Sequence, residues 1–523
     1  MFRELMAGRG SRANASTSGN FALWGNFLPP AGMGYARHLP LLAFLACLSA
    51  FCLWIMPIGS SLWLDELVTF WSAYKGIVPA FGRAQFWPGQ NTAYTVLIAA
   101  IIHVAGTSEI ALRLPSLFAL VLTAWLLFRL GEYFIDKEAG ILVVVVFTSL
   151  HEVAKEGATN ARPYGIALLL VVASMLQLVR WLDAQRLRNM IGFVVTAAAV
   201  PYFHLLFATV YLVFFAYGIY RWRTERQIRI KQIALAAVAI AILLAPLFWY
   251  TFFAHRASAE SSWADNPGSL LLESSFMPNP LASALLLGAL AASFACRRTG
   301  IAPLQIPRST AFLLMTWLIL PLVTLFLVSR VTPFKIFASR YFLHSFAALA
   351  LIVGCGIRML TSARMRVVIA IFVSVVSIIS YAGYHLNSSP HREDWRSAAK
   401  LVRSLDLSPT TPVLMRVGLI ETARIRSALS LDSDSPLLCP LSKYPIPGRI
   451  VLIPYRLNSE SVHYMQEISS QILATNDTFV VVARKNEEFT PWMRGWFLGQ
   501  GFEASEVGHA EGVPVVLYRR LHH

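Results

Sequence analysis

Charge is what this sequence has least of. Of its 523 residues, 14% are Asp, Glu, Lys or Arg, against about 25% in a typical soluble domain. Acids are the scarcer sign, 28 against 44 Lys and Arg, for a net charge of +16. There are five cysteines, and four of them, Cys47, Cys52, Cys296 and Cys355, lie in or at the edges of apolar runs. No C-x-x-C pair and no Cys-His spacing occurs, so neither a disulfide framework nor a zinc site is expected. Residues 387–523 carry no Gly-rich phosphate loop and no G-x-S-x-G elbow. The absence of an internal repeat disfavours an inverted-repeat transporter.

Apolar residues fill the space that charge leaves. The hydrophobic share is 56% and the mean hydropathy +0.57. Single soluble cores stop growing near roughly 250–300 residues, so repeated apolar runs of about 20 residues read as membrane spans. Such runs begin near Leu41, Leu112, Gly140, Pro163, Ile191, Leu205, Ile233, Leu281, Ala311, Phe342 and Val367, which makes eleven. Residues 1–37, rich in Gly, Ser and Asn, are expected to be a disordered cytoplasmic N-terminus. The first run then reads as a signal-anchor span rather than a cleaved peptide.

The cations fall into clusters between runs: Arg180, Arg186 and Arg188; Arg221, Arg223, Arg226, Arg229 and Lys231; Arg297, Arg298 and Arg308; Arg358, Arg364 and Arg366. They occupy alternate connections and so share a side, taken as cytoplasmic by the positive-inside rule. This accounts for the basic balance without nucleic acid as a partner. Arg37 belongs on the same side only if the short run Ala93–Val104 does not cross. That run is read as an interfacial or re-entrant helix within one long outer loop, residues 58–111. Ser61–Glu66, His151–Arg162, Phe253–Pro280 and Arg330–Arg340 then all face outward.

The fold class expected is therefore an α-helical polytopic membrane protein of about 11 transmembrane helices over residues 38–386. Residues 387–523 change character, alternating amphipathic helices with short β runs at Pro412–Met415, Ile450–Pro454, Thr478–Ala483 and Val513–Tyr518. They read as a small C-terminal α/β domain on the periplasmic face.

Polar chemistry collects on that outer side. Asp65 and Glu66 follow the first span, and adjacent acids at a membrane interface must be solvated, paired or metal-bound. Leu67, Phe70, Trp71, Tyr74 and Val78 recur at helical spacing, as in a helix lying in the interface. Asp65 is expected at its N-cap, where the helix dipole favours the ionised carboxylate. Glu156 is the best second acid, in a loop with His151, Glu152, Lys155 and Arg162. Arg162 either snorkels to headgroups or binds a substrate phosphate. His204 sits in a tight turn between two spans, as a structural hydrogen-bonder or a site residue. Arg330, Lys335 and Arg340 crowd an outer loop, where they anchor to headgroups or hold an anionic lipid.

At Trp63-Leu-Asp-Glu the chain resembles GT-C glycosyltransferases of the protein O-mannosyltransferase and aminoarabinose-transferase superfamily. Gly106-Thr-Ser-Glu-Ile-Ala-Leu-Arg-Leu-Pro-Ser is similar to that family's approach to its second span. Ala161-Arg-Pro-Tyr, preceded by Glu156, and Ser339-Arg-Tyr-Phe follow in family order, and His391-Arg-Glu-Asp-Trp-Arg-Ser-Ala-Ala resembles the start of the periplasmic domain. One departure stands out: where many relatives carry a His-Pro-Pro-type motif, this chain reads Phe86-Trp-Pro-Gly-Gln-Asn.

The resemblance implies a polyprenyl-phosphate-linked sugar donor, a lipid, glycan or protein acceptor, and inverting transfer on the outer face of a bacterial inner membrane. Asp65 is then the first-choice base, with Glu66 and Glu156 as supporting catalytic acids. Asp65 and Glu156 are the ligands for a divalent ion, Mg or Mn, should one be used. Arg162, Tyr164, His204, Lys335, Arg340 and Tyr341 form the implied substrate-binding set. The competing readings are a lipid or polysaccharide transporter, which needs ionisable residues in mid-span, and a non-catalytic membrane scaffold.

Overall fold

A backbone inside hydrocarbon must satisfy its own hydrogen bonds, so long apolar runs become helices. The computed structural model describes residues 38–87, 92–225, 228–255, 306–332, 334–360, 362–385, 391–419, 421–422, 434–455, 457–471, 473–486 and 488–521. Residues 1–37, the loop beyond His255, the run from Leu281, Cys296, Arg226, Arg297, Arg298 and positions 88–91 of the departing motif lie outside them.

In chain order the first helices are α1 (Leu39–Ala50), α2 (Leu64–Ala73), α3 (Ile77–Ala84), α4 (Thr92–Ala105), α5 (Glu109–Phe134), α6 (Lys137–Thr148) and α7 (Tyr164–Ala184). There follow α8 (Leu187–Phe203), α9 (Val210–Thr224), α10 (Ile230–His255), α11 (Arg308–Val331), α12 (Leu343–Arg358) and α13 (Ala363–His385). Among the described residues, eight helical stretches are long and apolar enough to cross a membrane. They match the runs expected at Leu41, Leu112, Pro163, Leu205, Ile233, Ala311, Phe342 and Val367. The Gly140 and Ile191 runs form the shorter α6 and α8. The 12-residue α6 is followed, past a break at Ser149–Leu150, by a wide π-type turn, Val153–Ala158.

Local chemistry sets the helix starts. Ser108 caps α5 by accepting from the Ala111 N–H at 3.2 Å, and Asp136 caps α6 through the Ala139 N–H at 2.9 Å. The two helices meet at glycine: a Cβ on Gly131 would lie 2.8 Å from the Gly140 Cα, so neither position accepts a larger residue without the helices parting.

At the end of the bundle where α6 and α13 begin and α12 ends, Glu138 is buried among His38, Arg358 and Arg366, with Arg366 Nε 2.7 Å from its carboxylate. Arg358 also pairs with Asp136. At the same end Arg221 joins Asp183 and Glu225. Cations from two of the expected basic clusters therefore share one end, opposite to Asp65.

Helix α4 is 14 residues long, about 21 Å at 1.5 Å per residue, short of the roughly 30 Å hydrocarbon core. Its Tyr94, Ile98 and Ala99 pack with residues of α2 and of the C-terminal region rather than into the bundle core. It is one of the shorter apolar helices, outside the eight long enough to cross a membrane.

Beyond residue 391 lie α14 (Trp395–Ser404), β1 (Pro412–Arg416), α15 (Cys439–Lys443), β2 (Arg449–Leu452), α16 (Ser459–Gln471), β3 (Thr478–Ala483), α17 (Phe489–Gly499), β4 (Phe502–Glu506) and β5 (Val515–Arg520). The strands form one mixed sheet in the order β2-β1-β3-β5-β4, with β2, β1 and β3 parallel and the last two antiparallel. Period-2 alternation divides the sheet. Val413, Met415, Val480 and Val482 face one core, and Leu414, Val451, Phe479 and Val481 face another under α16 and α17. Four strands fall on the expected runs. The fifth, β4, is a largely polar edge strand with no apolar run to announce it.

The first of those cores is shared. Leu64, Leu67, Val68 and Trp71 of α2 pack with Trp395, Ala398, Val413 and Cys439. Helix α2 is therefore buried along its length rather than lying in the interface, because the C-terminal region covers the face the sequence reading left to lipid. The chain turns at Gly76, φ 106°, and α3 carries the exposed apolar side chains, Val78 at 82% among them.

Candidate active site

Helix α2 begins at Trp63, whose extended backbone makes it the N-cap, so Asp65 stands in the first turn instead of at the cap. Glu66, three residues past the cap, takes over the capping role by accepting from the Trp63 N–H at 3.2 Å. It is 1% exposed and fully engaged. Arg113 donates to it twice, Nε at 2.8 Å and Nη2 at 2.5 Å, and the Ala161 N–H donates at 2.6 Å. Expected as a supporting catalytic acid, Glu66 instead ties α2 to α5 and to the Ala161-Arg-Pro-Tyr turn, with no oxygen left for a substrate.

Asp65 is the acid left accessible. No hydrogen bond engages its carboxylate among the described residues, and its nearest cation is Arg340, Nη1 to Oδ2 3.7 Å. Arg162 reaches the same turn of α2, donating to the Thr69 hydroxyl at 3.1 Å and the Asp65 carbonyl at 3.4 Å. The Nε atoms of both arginines are buried and, among the described residues, have no hydrogen-bond partner. Buried N–H groups of this kind cost free energy unless something accepts from them. Two such groups beside one half-buried carboxylate point to an anion that completes the site.

Glu156 enters from the π-type turn. It is buried, 3.8 Å from Lys155 Nζ, and accepts from Asn160 Nδ2 at 3.4 Å. Asn160 also accepts from the Trp63 indole N–H at 3.2 Å, which links the Glu156 turn to the start of α2. Burial raises the Glu156 pKa, and the Asp65 charge raises it further against the opposing Lys155 and Arg340. Among the described residues no group of three His, Cys, Asp or Glu side chains converges. Asp65 and Glu156 each face a cation instead, Arg340 and Lys155 respectively.

An aromatic wall closes the cluster. His204 at the end of α8 packs against Tyr164, Tyr341 and Phe207, with centroid separations of 5.0, 5.5 and 4.8 Å. Burial, then the charges of Arg162 and Arg340, hold its pKa well below the usual range, so the ring is neutral. Arg340 lies over Tyr341 at 5.1 Å and Arg162 near Tyr164 at 5.9 Å. Asp65, Glu156, Arg162, Tyr164, His204, Arg340 and Tyr341 therefore come together at one end of the bundle. Lys335 is engaged elsewhere: its ammonium caps the C-terminus of α11 by donating to the Ser329 and Thr332 carbonyls at 2.8 and 3.0 Å.

Among solved structures the chain is similar to ArnT from Cupriavidus metallidurans bound to undecaprenyl phosphate. The TM-score is 0.54 over 92% of this chain and 98% of that one, at 11% identity. The apo state of the same protein gives 0.54 over 91% and 98%, at 10% identity. This is a GT-C fold. The arabinofuranosyltransferase AftD from Mycobacteria is a more distant neighbour, with a TM-score of 0.46 at 14% identity, covering 92% of this chain and 41% of that chain. No protein-family model matches the sequence, and no curated protein does.

Several residues of this site are not legible as such in the sequence. Arg113 reads as one more basic residue of a span, and nothing local pairs it with Glu66. Glu393, over 300 residues from α2, accepts from the Leu64 N–H at 3.0 Å, the Trp395 indole at 3.2 Å and Arg484 Nε at 2.7 Å. Tyr444 accepts from the Leu62 N–H at 3.0 Å and donates to Glu109 at 2.9 Å. Glu421, past the end of β1, has a buried carboxylate oxygen with no partner among the described residues, and burial followed by the Asp65 charge raises its pKa. The Asp-Trp-Arg run after Glu393 was the one available signal, and it marked a domain start rather than a contact.

Proposed function

We propose that this chain is a membrane glycosyltransferase that moves a sugar, with inversion, from a polyprenyl phosphate to an acceptor hydroxyl on the outer face of a bacterial inner membrane. The observation that carries the reading is Asp65 set 3.7 Å from Arg340, with Arg162 bonded to the backbone of Asp65. An inverting transfer needs a base for the acceptor proton and positive charge for the departing phosphate, and here the two stand side by side.

Asp65 accepts the proton of the attacking hydroxyl as the bond from the anomeric carbon to the phosphate oxygen breaks. Arg340 and Arg162 take the charge that builds on the leaving phosphate, using the Nε–H groups that have no partner among the described residues. A phosphate leaves without a strong acid, so Glu156 serves to hold sugar hydroxyls or to shape the pocket beside Asp65. Neutral His204 and the tyrosines wall the lipid-phosphate end.

The test is lipid and glycan profiling of a deletion strain, together with transfer by the purified protein in liposomes. A polyprenyl-phosphate sugar should accumulate in the deletion, and the protein should consume it. A deletion strain with unchanged lipid-linked sugars contradicts the reading.

A further inference from the structure

His391 is absorbed neither by the catalytic reading nor by any structural need of the sheet. It opens the segment that joins the bundle to the C-terminal region, and its ring lies flat on the indole of Trp63, with centroids 4.0 Å apart and planes 8° from parallel. Trp63 is the N-cap of α2, two residues before Asp65, and Arg340 lies 5.9 Å from the same indole. On its other side the imidazole hydrogen-bonds the Lys155 backbone, next to Glu156. The ring therefore bridges the two chain segments that carry the acids of the site.

One nitrogen of that ring is unused. Nε2 is buried and, among the described residues, has no hydrogen-bond partner. Burial, followed by the charges of Lys155, Arg113 and Arg340, keeps the ring neutral. The hydrogen bond to the Lys155 backbone takes the N–H of the neutral ring, which leaves Nε2 with a lone pair as the acceptor. An unpaired acceptor held among cations is costly to keep unless a ligand uses it.

The backbone is forced into place to hold the ring there. Arg392, a non-glycine residue, sits at φ 54°. Gly512 backs it so tightly that a Cβ would meet the Arg392 carbonyl oxygen at 1.8 Å. Asp394 N–H is tied to the Glu511 carbonyl at 2.8 Å, and Glu393 to the Leu64 N–H at 3.0 Å. Left-handed backbone at a non-glycine residue persists only where the surroundings over-determine it, and such places cluster at binding sites.

We propose that His391 is a substrate-binding residue of the transfer site, its Nε2 accepting a hydrogen bond from a hydroxyl of the bound sugar or of the acceptor. The inference rests on the glycosyl-transfer reading and extends it: the C-terminal region contributes a group to the pocket.

The test is steady-state kinetics of the full-length protein in liposomes, with donor and acceptor varied in turn. His391→Phe keeps a flat ring on Trp63 and removes the acceptor, whereas His391→Gln restores a polar atom near the Nε2 position. A rise of about three- to tenfold in one KM is expected for His391→Phe, the range for a single neutral hydrogen bond, with at least partial recovery in His391→Gln. A rise in the donor KM assigns the bond to the sugar, and a rise in the acceptor KM assigns it to the acceptor. Unchanged KM values in His391→Phe, or equal impairment in both variants, overturn the proposal and leave the ring a packing element. Should His391→Phe not fold, His391→Gln and His391→Leu make the same comparison. An active wild-type protein with an unaffected His391→Phe sinks this inference alone, whereas an inactive wild type sinks the glycosyl-transfer reading as well.

Discussion

Arg113 on α5 grips Glu66 on α2 through two N–H groups, at 2.8 and 2.5 Å, with both side chains almost wholly buried. The same guanidinium donates to the carbonyls of Ile58, Ser60 and Ser61 at 2.8, 2.8 and 3.1 Å. One cation thus fixes the chain on both sides of Trp63, and Asp65 is aimed as a consequence.

Breaking this pair from one side strands a buried charge, which costs about 3–5 kcal/mol. Arg113→Met should lower the unfolding midpoint of the detergent-solubilised protein sharply, and Arg113→Met with Glu66→Gln should recover part of the loss. A single variant as stable as wild type means that the pair is not holding the loop.

The acid pair after the first span was legible because charge is rare in this chain, so Asp-Glu beside an apolar run stands out. The division of labour between the two was not. Which acid is saturated depends on Arg113 and on Ala161, and α-helical spacing says nothing about partners 47 and 95 residues away. The covering of α2 was hidden for the same reason: an amphipathic pattern reports an apolar face but not whether lipid or a distant sheet meets it. Strands β1, β2, β3 and β5 were visible as apolar runs, whereas the polar edge strand β4 had none.

Arg340 and Lys335 looked equivalent as outward cations, and the structure separates them. Arg340→Ala should raise the donor KM by roughly tenfold or more, the loss of a charge-assisted bond worth about 1.5–3 kcal/mol. Lys335→Met should leave the donor KM unchanged and cost only some stability through the lost cap on α11. Kinetics on both variants at saturating acceptor check this, and equal donor effects contradict it.

Glu152 supplies a pH signature. Burial pushes its carboxyl up to about 7 from an ordinary 4.5. Between those values the folded protein keeps a proton that the unfolded chain releases, so stability falls as pH rises through that window and then levels off. Glu152→Gln removes the penalty. Its stability relative to wild type should improve between pH 5 and pH 8, by on the order of 2 kcal/mol. Unfolding midpoints at the two pH values measure this, and a constant difference refutes it.

The central claim is that Asp65, next to Arg340 and clear of the bonds that occupy Glu66, is the base of a sugar transfer. Asp65→Asn keeps the shape of the side chain and removes its basicity, while Trp63, Glu66 and Glu393 continue to hold the helix start. The decisive measurement is the turnover of Asp65→Asn in liposomes with the polyprenyl-phosphate sugar that accumulates in a deletion strain. The variant should be folded and inserted, and its kcat should fall by roughly 10²–10⁴-fold, the range for losing a general base. Near-wild-type turnover by Asp65→Asn, in a preparation where Glu156→Gln is inactive, assigns the base to Glu156, and undiminished turnover in both variants contradicts the mechanism.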